Sequence, residues 1–204
     1  MSEPSDASPP PSEQLPPPAP PARKGMSNGC TTALTIGLVG LMLVVLLAAI
    51  AVPIGRMFLN KARTLQTKAM MQALVLATSA YQTEYSRIPD LGETDEMKTL
   101  EVQGEIIDIL VGKHPGKNPR RIPFYDPPLH KPRSKGGLVI NAAGLPELQD
   151  LFGHVFLMRF DWNADGNIPD PEHPGATVRG PVILYSAGPD GDYSTWHDNV
   201  RSWK

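Results

Sequence analysis

Cysteine is nearly absent: Cys30 is the single one among 204 residues. No internal disulfide can form, so the chain is not a small stapled scaffold. The Cys and His spacings of a structural zinc site are missing as well. Neither sign of charge is in excess. The formal net charge of -2 leaves no basic footprint for a phosphate backbone and excludes nucleic acid as the expected partner. Catalytic framing is also missing. Ser186 and Ser194 lie near His197 and Asp198 in the sequence, but no G-x-S-x-G elbow or comparable frame surrounds them. The five histidines are scattered, and His114 and His130 sit in a Pro-rich stretch. They read as surface residues, and the chain reads as a non-enzyme.

Charge is absent altogether from Thr31 to Gly55, a run with no Asp, Glu, Lys, Arg or His. About 20 apolar residues in a helix cross the hydrocarbon core of a bilayer. Lipid offers no hydrogen-bond partners, so a single span must be helical. A core helix of a globular protein would carry a polar stripe. A cleaved secretory signal has a shorter apolar region of about 7 to 15 residues. Here the run is longer, begins later and leads directly into charged, helix-like sequence. Residues 26–55 are therefore expected to form one retained transmembrane helix. Arg23 and Lys24 precede it and place the N-terminal side in the cytoplasm. Arg56, Lys61, Arg63 and Lys68 follow it and pull the other way. The adopted orientation is N-terminus cytoplasmic, with the bulk of the chain outside.

Proline is abundant, with 23 residues, and much of it lies in residues 1–22. Proline fixes φ and removes backbone donors, so residues 1–25 are expected to be a disordered cytoplasmic arm or leader. Pro9 to Pro21 could present polyproline II turns to a partner, and a solvated tether is the plainer reading. Cys30 precedes the apolar core, which is the wrong order for a lipoprotein signal. Pro53 lies inside the apolar helix and would loosen it locally.

Beyond Pro53, Phe58, Ala62, Leu65, Ala69, Ala73, Leu76 and Ala80 recur every three to four residues. That spacing predicts an amphipathic extension over residues 56–88 with these side chains as its packing stripe. Ile88-Pro89 ends it. Residues 95–112 read as a shorter helix stopped by Gly112, with Leu100, Ile106, Ile107 and Leu110 on its apolar face. Residues 113–137 are a Pro-, Lys- and Arg-rich loop that Phe124 and Tyr125 pin to the domain surface. From Gly137 onward, GLVIN, HVFLMRFD and PVILYSAG are short β-rich runs between turn signals. The fold class is α+β: a long N-terminal helix packed on a small antiparallel sheet, because neither face can be buried alone. The soluble α+β domain is expected over residues 89–204.

Two stretches could hold a hard cation. Asp161, Asn163, Asp165, Gly166 and Glu172 fit the D-x-[DN]-x-[DN]-G-x5-E spacing of a calcium loop. Alternating oxygens turn inward there and a final Glu closes the shell. The segment leaves a strand rather than a helix, and a polar turn explains the same residues. The second stretch carries Asp190, Asp192 and Asp198 around two turns. It could gather oxygens on one Ca2+, or Pro189-Asp190-Gly191 could simply be a turn.

Taken together, the apolar helix with Pro near its end, the amphipathic extension through Tyr81 and Tyr85 to Ile88-Pro89, and the small sheet resemble the type IV pilin-like major pseudopilins, the type II secretion system protein G family. The most specific match is Tyr185-Ser186-Ala187-Gly188-Pro189-Asp190-Gly191 through Asp198-Asn199-Val200-Arg201-Ser202-Trp203. Leu151-Phe152-Gly153-His154-Val155-Phe156 is similar to the family's D-P-W/F-G-x-x-Y/F segment. The resemblance covers residues 25–204. It implies an inner-membrane subunit with a periplasmic domain, whose helix packs with its own copies and other pseudopilins on a secretion platform. It also implies calcium in the C-terminal loop, with Asp190 and Asp198 as first ligands, then Asp192. The family often has a carboxylate where this chain has His197. The family's cleavage glycine is followed by a Glu at the fifth mature position. Gly29 before Cys30 and Gly25 before Met26 are the candidate sites, and they put Leu34 or Cys30 where that Glu would stand. Two expectations follow: a filament subunit, or an uncleaved, membrane-anchored calcium-binding module that does not polymerise.

Overall fold

The computed structural model describes residues 28–132 and 135–204, with the backbone alone at residues 28–33, 35, 52 and 53. The arm and the candidate sites Gly25 and Met26 lie outside the described residues, as do the side chains of Gly29 and Cys30. The chain divides into two units, Met1–Ile50 and Ala51–Lys204.

Helix α1 runs Asn28–Tyr85 and is long and apolar enough to cross a membrane. In the first unit every described side chain from Leu34 to Ile50 is exposed. In the second unit the helix becomes two-faced. Thr67, Met71, Leu74, Thr78 and Tyr81 are buried at alternating steps of four and three, with Ala77 beside them. That rhythm keeps one side of a 3.6-residue helix against the domain. The helix ends where Ser86 turns to φ 53, just ahead of Ile88-Pro89.

This corrects the expected packing stripe. Phe58, Leu65 and Leu76 are 65%, 62% and 69% exposed, and Ala62, Ala69, Ala73 and Ala80 are exposed with them. The domain packs on the opposite side of the helix. Thr67 and Thr78 sit inside the buried stripe, so a count of apolar residues favours the wrong face.

After α1 come β1 (Leu100–Glu101), α2 (Glu105–Leu110), β2 (Gly137–Ile140), β3 (Pro146–Gln149) and β4 (Leu157–Phe160). Then follow β5 (Asn167–Pro169), β6 (Thr177–Arg179), β7 (Val182–Ser186) and β8 (Val200–Arg201). The main antiparallel sheet has the order β1-β4-β7-β8, and two separate hairpins are formed by β2-β3 and β5-β6. The three expected strand runs are β2, β4 and β7, but β2 pairs with β3 rather than joining the main sheet. The expected helix over residues 95–112 shrinks to α2, because Gly104 at φ 60 reverses the chain between β1 and α2.

Met71, Leu74, Ala77 and Tyr81 share one core with Ile106, Ile109 and Leu110 of α2, with Met158, Phe160, Val182 and Leu184 of the sheet, and with Phe156 just before β4. Tyr125 joins that core, and the Phe124 ring lies edge-on to Tyr81 at 5.6 Å, so the long loop is pinned as expected. Buried Asn118 holds the same loop. Its amide donates to the carbonyls of Ile109 and Ile122 at 2.8 Å each, and its Oδ1 accepts from the Tyr85 hydroxyl at 2.7 Å.

The two faces of α1 predict opposite responses to truncation. Met71→Ala or Tyr81→Ala lowers stability by about 2–4 kcal/mol, whereas Leu76→Ala changes it by less than about 0.5 kcal/mol. Thermal unfolding of the full chain in detergent, followed by near-UV circular dichroism, checks this.

Candidate metal centre

The segment from Asp161 to Gly166 folds as a self-contained turn. Asp161 is buried, and its carboxylate accepts the amides of Asp165 at 3.1 Å and Gly166 at 2.8 Å. Asn163 Oδ1 accepts the Asp165 amide, and Asp165 Oδ1 accepts the Asn167 amide, both at 2.7 Å. These oxygens already serve the backbone, as Asx residues do in turns. Glu172 does not close a shell around them. It pairs with Arg201 and with Lys204, the latter at 2.6 Å. Hydrogen bonds from Arg201 first, and from Lys204, hold its carboxyl down at about 2. Asp170 and His173 lie next to Glu172.

The C-terminal loop between β7 and β8 is different. Asp190, His197 and Asp198 each bring one ligand atom within 4.8 Å of the others. Thr195 and the Asp192 amide donate to Asp190 and hold its carboxyl below the usual range, so it is ionised at neutral pH. Asp198 Oδ1 is buried and has no hydrogen-bond partner among the described residues, with His197 Nε2 at 3.6 Å. A buried carboxylate oxygen without a donor carries an unmet demand for positive charge. Asp192 is not part of this group; its carboxylate accepts the Ser194 amide at 2.8 Å and the Ser194 hydroxyl at 2.7 Å.

The loop is held from outside by several contacts. The Tyr193 hydroxyl donates to the Val155 carbonyl, and the Tyr185 ring stands 5.2 Å from Trp196. A Cβ on Gly188, at φ 67, would meet the Asp198 carbonyl oxygen at 2.3 Å. Only glycine lets the two ends of the loop pass this closely.

One organising residue, Asp150, stands directly before the segment at residues 151–156 but is not among the expected site residues. Asp150 is fully buried. Its Oδ1 accepts the amides of Phe152, Gly153 and His154 at 2.8–2.9 Å, and its other oxygen accepts from the Ser186 hydroxyl. Ser186 in turn accepts the Gly188 amide at 3.1 Å. This chain of bonds fixes the start of the Asp190 loop to the turn at residues 150–154. The leading Asp of the D-P-W/F-G-x-x-Y/F segment that residues 151–156 resemble is the signal that could have found it.

The donor set of Asp190 and Asp198, with one orphaned carboxylate oxygen, fits a divalent cation. The two carboxylates suit Ca2+; the His197 imidazole suits it poorly. No family model, curated protein or solved structure matches this chain.

Two measurements follow from this geometry. Calcium raises the melting temperature of the wild-type chain, chelation reverses the rise, and Asp198→Asn abolishes the response; at a hundredfold excess over Kd the gain is about 2.7 kcal/mol. An unchanged melting curve with and without calcium removes the metal from the loop. Glu172→Gln costs about 1–2 kcal/mol at neutral pH, a modest figure because the pairs sit near the surface. Its folded pKa is depressed, so this stability is fully present above about 4.5 and is lost as pH falls towards about 2. Urea titrations across that window should show wild type and variant converging at the acid end.

Proposed function

We propose that this chain is a structural subunit of a pseudopilus-like or type IV pilus-like filament, anchored in the inner membrane and assembling through its N-terminal helix. The observation that carries the reading is the second apolar stripe on α1. The domain consumes the Thr67–Tyr81 face, and Phe58, Leu65 and Leu76 remain exposed on the other. A helix that is apolar on two faces has a second partner to find. Ala62, Ala69, Ala73 and Ala80 stand among the larger side chains of that stripe and let another helix approach closely. On this reading the partners are copies of the chain, other pseudopilins and an inner-membrane secretion platform. The domain lies in the periplasm, calcium stiffens its C-terminal loop, and no catalytic step is involved.

A second reading has its own support. The candidate cleavage sites put Leu34 or Cys30, not an acid, at the fifth position. An anchored periplasmic calcium module that never polymerises is the alternative.

Cross-linking separates the two. In a Cys30→Ser background, Leu65→Cys with Leu76→Cys yields a disulfide-linked ladder in membranes, and Leu76→Glu abolishes assembly without lowering the melting temperature. Monomer alone, together with an intact Met1 by mass spectrometry, favours the anchored module. A new N-terminus at Cys30 or Met26 favours assembly.

A further inference from the structure

Between Gly25 and Glu84 the chain carries Arg56, Lys61, Arg63 and Lys68 and no Asp or Glu. Lys68 is engaged, donating to the Lys204 carbonyl. Arg56, Lys61 and Arg63 are exposed and have neither an ion pair nor a hydrogen bond among the described residues. They begin one residue after the charge-free run ends at Gly55. Exposed Met57, Phe58 and Leu59 stand between them.

We infer that Arg56, Lys61 and Arg63 form a cationic collar that binds anionic phospholipid headgroups where the helix leaves the bilayer. The inference rests on the reading that α1 crosses a membrane. At 100° per residue, Arg56 and Arg63 fall on one side of the helix and Lys61 roughly 140–160° away. A protein partner reads one face of a helix. Cations spread around the circumference suit a medium that surrounds it. From Arg56 to Arg63 the rise is about 10 Å, comparable with the polar layer on one side of a bilayer, about 5–8 Å deep. The interleaved Met57, Phe58 and Leu59 suit the same boundary, with apolar stems below and charge in the headgroups. No acid on the segment competes for the cations, and lipid phosphodiesters supply the missing negative charge. Each cation near an anionic surface multiplies association by about fivefold.

The test uses the full chain in bilayers of equal phosphatidylglycerol and phosphatidylcholine, extracted in mild detergent, with retained lipid counted by mass spectrometry. Wild type retains phosphatidylglycerol over phosphatidylcholine by about fivefold or more. The R56Q/K61Q/R63Q variant brings the ratio close to one while its melting temperature stays unchanged, and Lys68→Gln keeps the wild-type ratio. A ratio of one for wild type, or no change in the triple variant, overturns the collar while leaving the membrane span intact. Release of the chain by carbonate washing overturns the span itself, and the collar with it. Inorganic phosphate is compared with chloride at matched ionic strength. If phosphate alone displaces the retained lipid, the cations form a free-phosphate site and the lipid assignment falls.

Discussion

Burial of one face of α1, from Thr67 to Tyr81, is the constraint on which the domain depends. The sheet is small: β4 and β7 have four and five residues, and β1 and β8 have two each. Strands this short are marginal without a second layer to cover their apolar face. Met71, Leu74 and Tyr81 provide that layer, with α2 closing one side. The C-terminus is drawn onto the same helix, since Gln72 donates to the Ser202 carbonyl at 2.8 Å and Lys68 to that of Lys204. Because the domain takes this face, the stripe at Phe58, Leu65 and Leu76 stays exposed among the described residues. Fold and proposed assembly thus follow from one helix that is apolar on both sides.

Much of the polypeptide after α1 is irregular, and two buried polar side chains do the work that strands do elsewhere. Asn118 holds the loop after α2 by accepting from Tyr85 and donating to two carbonyls. Asp150 holds the turn before β4 and reaches Ser186 at the end of β7. A buried carboxylate is costly unless its oxygens are fully supplied with donors, and Asp150 accepts three amides and a hydroxyl. The Asp190 loop hangs from that anchor through Ser186 and Gly188. The position of the candidate centre is therefore inherited from Asp150.

The sequence makes the long helix legible because twenty-five uncharged residues admit few alternatives, and its end because Ile88-Pro89 disfavours the α region. Three strands are legible from their β-branched and aromatic runs. The side of α1 that packs is not, because the buried face includes Thr67 and Thr78 while alanines fill the exposed one. Strands β1, β3, β5, β6 and β8 have two to four residues, too few for a period to register. Of the site, Asp190 and Asp198 are legible as acids crowded around turns. The destination of Glu172 is not. Its partners Arg201 and Lys204 come from the far end of the chain, and no local spacing encodes such a pairing.

The two acidic groups of the domain are balanced differently, and the contrast bears on which one takes a metal. Glu172, with Asp170 beside it, meets Arg201 and Lys204. Its charge is cancelled by the chain itself, and a cation would have to displace two ion pairs to enter. Asp190 and Asp198 lie together with His197, each bringing one ligand atom within 4.8 Å of the others. Hydroxyl and amide donors keep Asp190 ionised, while Asp198 Oδ1 stays buried without a donor among the described residues. The loop is held in this form, because Gly188 is packed against the Asp198 backbone and Tyr193 is tied to Val155. Of the two groups, the Asp190 loop is therefore the better candidate for an external cation, because the group at Glu172 is already balanced by Arg201 and Lys204.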